Sequence, residues 1–257
     1  LTRYFQQGFK CPITTFGFGY NLDSVLLNNI SNISGGDGFS YIPDSSLLGN
    51  VFIHGISNFF TNAVSFPNMN IKLLKGLRFM DGTTEKNIII NSLKYGQDKN
   101  FMFDIDRSFR TRDETTNFAE VSLDINEKVI TISDNPIPDI DYYNEQLYRN
   151  KLINCINDCN DFQRRRDSEN VKTTLNTLIQ EIKTNQSLIS LENIQNMVFD
   201  LEGQITESLN ITQEGERGDW YSKWGRHYLL SLVGAYSNEL CNNFKDKGIS
   251  NYGGEIF

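Results

Sequence analysis

The chain has two histidines, His54 and His227, and nucleophilic or zinc chemistry would have to be built around one of them. A Ser–His–acid or Cys–His site needs a nucleophile beside a base that a third group orients. No nucleophile-elbow pattern is present. His54 sits between Ile53 and Gly55, off the main apolar stripe of a helix-forming run, and reads as a packed ring. His227 lies beside Trp224 and Tyr228 and reads as a packed, hydrogen-bonded histidine, with a partner contact as the next reading and a catalytic base last. Paired carboxylates (Asp104/Asp106, Asp139/Asp141, Glu214/Glu216) could serve acid–base chemistry, but an acidic chain produces such pairs by chance and no further constellation surrounds these.

Cys155 and Cys159 share a helical face, where Cα separation is near the upper limit for a disulfide, and Cys11 and Cys241 complete no zinc knuckle. All four read as reduced, small apolar fillers, which fits an intracellular, cytoplasmic protein. Ser34–Gly38, "SGGDG", leads into a strand and lacks a following Lys-Ser/Thr, so it reads as a turn, not a phosphate cradle. Arg164–Arg166, flanked by Asp161 and Asp167, reads as a solvated helix end, and Trp220, Trp224, Tyr228 and Tyr236 at helical spacing read as core. No catalytic, cofactor-binding or metal-ligating set emerges, and the expectation is a protein that is not an enzyme.

The elements that would position these residues fall into three blocks. The 257 residues allow one large domain or two small ones, and a formal charge of −8 argues against a nucleic-acid or anionic-membrane surface. Apolar runs are too short to span a bilayer. Leu1–Phe9 reads as the tail of a helix. Ile13–Tyr20 reads as a strand covered on both faces, with Gly17 and Gly19 permitting close backbone approach and Asp23 and Ser24 capping the next helix. That helix would bury Leu26, Leu27 and Ile30. After a strand at Phe39–Ile42, a second helix carries the clearest period in the chain: Leu48, Val51, Phe52, Gly55, Ile56, Phe59, Phe60 and Ala63.

Strands follow at Ile71–Leu74, Lys86–Leu93, Lys99–Ile105, Phe118–Ile125 and Glu127–Ser133, separated by turns and the polar loop "RTRDETTN". This texture predicts an antiparallel β-sandwich. "DNPIPD" at Asp134–Asp139 is the best linker, and beyond it the pattern is helical, interrupted at "TQEGERGD".

Two segments carry a resemblance. "ITTFGFGYNLDSVLLNNIS" with "GFSYIPDSSLLGNVFIHGISNFFTNA" resembles the last third of an intracellular von Willebrand factor type A domain. "WGRHYLLSLVGAYSNELCNNFKDKGISNYGGEIF" resembles the C-terminal motif of the VWaint region that follows such domains, whose β part is similar to "INSLKYGQDKNFMFDI". The resemblance implies an α+β fold in several parts: a remnant of a doubly wound α/β A-type sheet at 1–66, an antiparallel β-sandwich at 67–135 and a helical VWaint-like region at 136–257. A-domain metal loops of the Asp-x-Ser-x-Ser type would precede Leu1, and "DSS" at Asp44–Ser46 has the wrong spacing, so no metal ligand carries over.

The resemblance further implies a non-catalytic interaction or scaffold module, a fragment of a larger A-domain protein. The alternative is an accessory region of a ubiquitin-ligase-like protein whose catalytic module lies elsewhere; an unrecognised hydrolase is a third reading. The expected partner is a protein, with no nucleic acid, membrane or cofactor. Partner contacts are expected at Trp224, Arg226, His227, Lys245 and Asp246. The A-type sheet remnant is expected to pack against the β or helical part or against another chain.

Overall fold

The computed structural model describes residues 11–106, 118–125, 128–132, 139–209, 219–243 and 245–253. The helix expected at Leu1–Phe9, the loop "RTRDETTN" and most of the linker and of "TQEGERGD" lie outside these residues.

The N-terminal block is a β–α–β–α unit. Strand β1 (Thr15–Phe18) runs parallel to β2 (Phe39–Ile42), with Thr15 opposite Phe39 and Phe18 opposite Ile42. Helix α1 (Ser24–Ser34) joins them, and α2 (Leu48–Phe60) follows a single 3-10 turn at Ser45–Leu47. Asp23 caps α1, accepting from the Leu26 N–H at 2.9 Å, whereas Ser24 lies inside the helix and turns its hydroxyl elsewhere.

The faces of both helices differ from the expectation. Helix α1 buries Ser24, Ser31 and Ser34; of its expected apolar face, Leu27 packs against the Phe39–Tyr41–Trp224 core and Ile30 is half-buried, while Leu26 is exposed with Val25 and Ile33. The buried hydroxyls are satisfied: Ser31 Oγ accepts from the Gly38 N–H, Ser34 Oγ accepts from the Ile13 N–H and donates to the Ser31 carbonyl. Small hydroxylated side chains let α1 sit close to the loops at the start of β1 and β2, which long apolar ones would not. Helix α2 buries Val51 of its expected stripe, together with His54, and the rest of the stripe's large side chains point outward: Phe52, Ile56, Phe59 and Phe60 are all exposed, Phe59 and Phe60 by 74% and 77%. Ala63 lies beyond the helix, in β3 (Asn62–Ser65). Nor is β1 covered on both faces, since Phe18 at its end is 58% exposed.

The β block holds a four-stranded antiparallel sheet, ordered β5 (Glu85–Ile89), β4 (Asn68–Leu73), β7 (Ala119–Ile125) and β8 (Lys128–Ile132). A two-stranded ribbon pairs β3 with β6 (Ser92–Lys94). The run expected as one strand over Lys86–Leu93 is therefore two strands in two sheets. Lys99–Ile105 is irregular apart from one bridge, Phe79 to Ile105. Met69, Ile71, Leu73, Phe79 and Ile90 form this block's core. It is tied to the N-terminal block through Asp37 of the "SGGDG" turn, which accepts from Lys94 Nζ at 2.9 Å and Ser92 Oγ at 3.0 Å.

The helical block comprises α3 (Ile140–Arg164), α4 (Ser168–Lys183), α5 (Gln186–Ile189), α6 (Glu192–Asp200), α7 (Arg226–Asn238) and α8 (Lys247–Ser250). Wide π-type turns at Leu201–Ile205 and Tyr221–Gly225 extend α6 and introduce α7. The expected faces are buried here: Leu152, Cys155, Ile156 and Cys159 of α3 meet Leu175, Leu178, Ile179 and Ile182 of α4 and Leu229, Leu232 and Tyr236 of α7. Cys155, Cys159 and Cys241 are buried fillers; Cys11 is exposed and fills nothing. "RRR" is a helix end, with α3 closing at Arg164 and Arg166 in the left-handed region.

Candidate functional site

The carboxyl ends of β1 and β2 open onto a cleft of about 220 Å³. Tyr20 lies two residues past β1, and Pro43 and Asp44 directly follow β2. The crevice outside the carboxyl ends of parallel strands is where α/β sheets present ligands. The opposite wall comes from the helical block, as Trp220, Trp224 and Tyr228 recur every four residues along one side of α7 and the turn before it. Four-residue spacing stacks side chains above one another. The Trp220 and Trp224 rings meet edge-on at 6.4 Å, and Trp224 and Tyr228 at 5.6 Å. Trp224 is core as expected, with Trp220 and Tyr228 partly buried against the same cluster, and Tyr236 is fully enclosed; the first three also present an edge to the cleft.

The cleft is acidic. Asp44 and Glu207 are exposed at its rim and Asp246 is buried in its wall, facing a single cation, Lys245. Asp44 is held below its ordinary pKa by hydrogen bonds from Ser46, with a smaller contribution from Lys245. Tyr41 also lines the cleft. Its side chain is buried, and its hydroxyl has no hydrogen-bond partner. Burial pushes the phenol well above its ordinary pKa, so it stays protonated.

Beneath the cleft is a polar cluster that builds the C-terminal motif. Asp200 accepts from the backbone N–H of Lys247 and Gly248 and from the Tyr236 hydroxyl, closing the start of α8. Asp246 accepts from the Tyr228 hydroxyl at 2.7 Å and from Asn243 Nδ2 at 2.9 Å. Burial, with Asp246 close by, raises Asp200 to about 7, and burial raises Asp246 as well. Two glycines allow this packing. A Cβ on Gly225 would lie 2.0 Å from the Ser208 carbonyl oxygen, and one on Gly248 would collide with the Tyr236 hydroxyl. The spacing in "WGRHY" and "KGIS" thus reports backbone approach, not chemistry.

A second cleft, about 420 Å³, lies alongside and is lined by Asp23, Ser24, Arg164, Ser222, Arg226 and His227 among others. His227 Nε2 lies 3.2 Å from the Tyr20 carbonyl, which can only accept, so Nε2 carries the proton. Nδ1 then accepts from the Ser24 hydroxyl at 2.7 Å. The Arg226 Nε contact at 3.4 Å is too long to compete. A serine donating to histidine is the hydrogen bond that begins nucleophilic catalysis. Here Ser24 and His227 are only 4% and 1% exposed, and the pair fastens the β1–α1 loop to α7. Burial lowers the His227 pKa, keeping the ring neutral.

Of the five residues expected to meet a partner, Trp224, Lys245 and Asp246 line the first cleft, and Arg226 and His227 line the second. Arg226 and Lys245 are exposed, whereas His227 and Asp246 are buried with their hydrogen-bonding groups occupied. Reading one stretch at a time missed Tyr20, Tyr41, Asp44 and Glu207, which reach the cleft from distant elements. Only the Trp220–Trp224–Tyr228 spacing signalled it.

Comparison with known proteins follows the same division. Residues 191–257 match the family model described as "VWA / Hh protein intein-like" (Vwaint). The fold is similar to a solved structure, von Willebrand factor type A from Catenulispora acidiphila, at 12% identity and a TM-score of 0.50. That match covers 86% of this chain and 57% of the other, so this chain spans little more than half the length of that structure. No curated protein matches the sequence. The chain therefore combines a von Willebrand factor A-type fold with a VWaint-like C-terminal region.

Proposed function

We propose that this chain is a non-catalytic protein–protein interaction module that serves as a scaffold within a larger von Willebrand factor A-type protein. The single observation that carries the reading is the outward apolar face of α2. Phe52, Ile53, Ile56, Phe59 and Phe60 are all more than two-fifths exposed on one thirteen-residue helix. A contiguous apolar patch of this kind marks a surface that another protein covers. The occupant is a protein segment with a complementary apolar stripe, packing helix to groove. Phe18 at the end of β1, 58% exposed, adds to the apolar surface of the same α/β unit.

The test compares proteins that co-purify with the wild-type chain and with a Phe59→Ser/Phe60→Ser variant. Circular dichroism shows whether both are folded, and hydrogen exchange maps protection on the bound complex. The reading expects a partner that protects 48–60 in the wild type and is lost from the variant. An unchanged partner set, or a partner that leaves 48–60 unprotected, rules this face out.

A further inference from the structure

The cleft at the carboxyl ends of β1 and β2 has chemistry that the apolar face of α2 does not. We propose that it receives an arginine side chain from a partner protein; this rests on the interaction reading above and names a second, separate contact within it. Two observations converge. Trp220, Trp224 and Tyr228 form an aromatic wall, with Tyr20 and Tyr41 from the sheet side. At the exposed rim carboxylates outnumber cations, Asp44 and Glu207 against Lys245.

The ligand must present an apolar-faced cation to the aromatic wall and N–H donors to the rim carboxylates. A guanidinium does both. It stacks on indole, is weakly hydrated and has five N–H donors. One face can lie on the indole wall while its edges meet Asp44 and Glu207 at the rim. An anion is disfavoured by the carboxylates. Asp246 makes no direct bond to the ligand, because both its oxygens are engaged by Tyr228 and Asn243.

The chain contains two tryptophans, and both line this cleft, so intrinsic fluorescence reports on it directly. The experiment titrates the whole chain, at constant ionic strength, with the capped peptide Gly-Gly-Arg-Gly-Gly. Parallel titrations use the same peptide with citrulline, a neutral isostere, in place of arginine, and MgCl2 alone. The expected result is a saturable tryptophan change with arginine, with a Kd on the order of 1 mM for one isolated side chain, and none with citrulline.

Glu207→Gln, an exposed substitution outside the core, should weaken arginine binding about two- to fivefold, a single exposed charge contact. Equal response to citrulline, no saturable response at all, or a response to Mg²⁺ in place of arginine overturns the proposal. If the arginine peptide fails while the α2 face still binds its partner, the cleft inference alone falls. If both fail, the interaction reading falls with it.

Discussion

The helical block and the N-terminal α/β unit use similar apolar periodicity and put it to opposite ends. In α3, α4 and α7 the stripe turns inward: Ile156, Leu229 and Tyr236 are fully enclosed. In α2 the stripe turns out, and in α1 serines take the inner face. The helical block has several long helices to cover one another. The α/β unit has one two-stranded ribbon, which α7 covers on one side through Trp224 and Tyr228 against Phe39 and Tyr41. Two short strands offer too little surface to bury two helices, so one face of each remains outside. The contrast shows that periodicity identifies an apolar face without identifying what covers it.

The seam between the helical block and the β block carries the largest expected effect. At the left-handed end of α7, Glu239 is paired in the interior with Arg149 and accepts from the Asn100 N–H. Arg149 also donates to the Asn100 carbonyl, and Gln97 and Lys99 cap the last carbonyls of α7. Breaking a buried pair by removing one partner leaves an uncompensated charge. Arg149→Ala should therefore destabilise by about 3–5 kcal/mol in urea unfolding. Loss of less than about 1 kcal/mol would mean that the seam is wet and the blocks are loosely joined.

The next effect tests close packing inside the helical block. Gly225→Ala pushes a methyl against the Ser208 backbone and should cost about 1–3 kcal/mol, through strain as the helix shifts. In the outward-facing unit, Gly49, which has open space around it, should accept alanine within about 0.5 kcal/mol or with slight gain.

Asp200 gives the helical block a pH signature. Its folded pKa, about 7, is above the model-compound value of 3.8, so between these values the folded state holds a proton that the unfolded state has lost. Stability from this group is greatest below about pH 4 and falls as pH rises through 7, by up to about 4 kcal/mol if no other carboxylate compensates. Asp246, raised in the same cluster, adds to the same slope. Asp200→Asn should flatten the decline between pH 5 and 7, whatever it does to absolute stability; an unchanged slope would place the titration elsewhere.

The smallest effect lies on the α2 face. Phe59→Ser should alter unfolding free energy by no more than about 0.5 kcal/mol, because the ring is already exposed. A large loss would show that the face is covered within the chain and would dissolve the contrast between the two regions.

The order of blocks was legible in the residues because it depends on local chemistry. Alternation marks strands, a 3.6-residue period marks helices, and Asp23 caps α1 as an Asp in that position should. The helical core was legible for the same reason, since a face repeated over many turns has to be buried. Three things were not. The strand expected at Lys99–Ile105 had the right alternation but gave up its ladder to cap α7 from 97–100. The inward serines of α1 were invisible because their partners are loop N–H groups. The cleft beside the aromatic core was not legible because its other lining residues, Tyr20, Tyr41, Asp44 and Glu207, come from distant elements.

Composition and periodicity alone determined the mixed α+β architecture, the reduced cysteines on α3 and the lack of any span long enough for a bilayer. These follow from side-chain type and spacing along one chain. Tertiary structure alone decided which face of each helix meets water, which carboxylates burial pushes to a higher pKa and which aromatic rings share a cleft. Those depend on what lies opposite, and residues up to about two hundred positions apart, such as Ser24 and His227, settle it by packing and desolvation that no local pattern encodes.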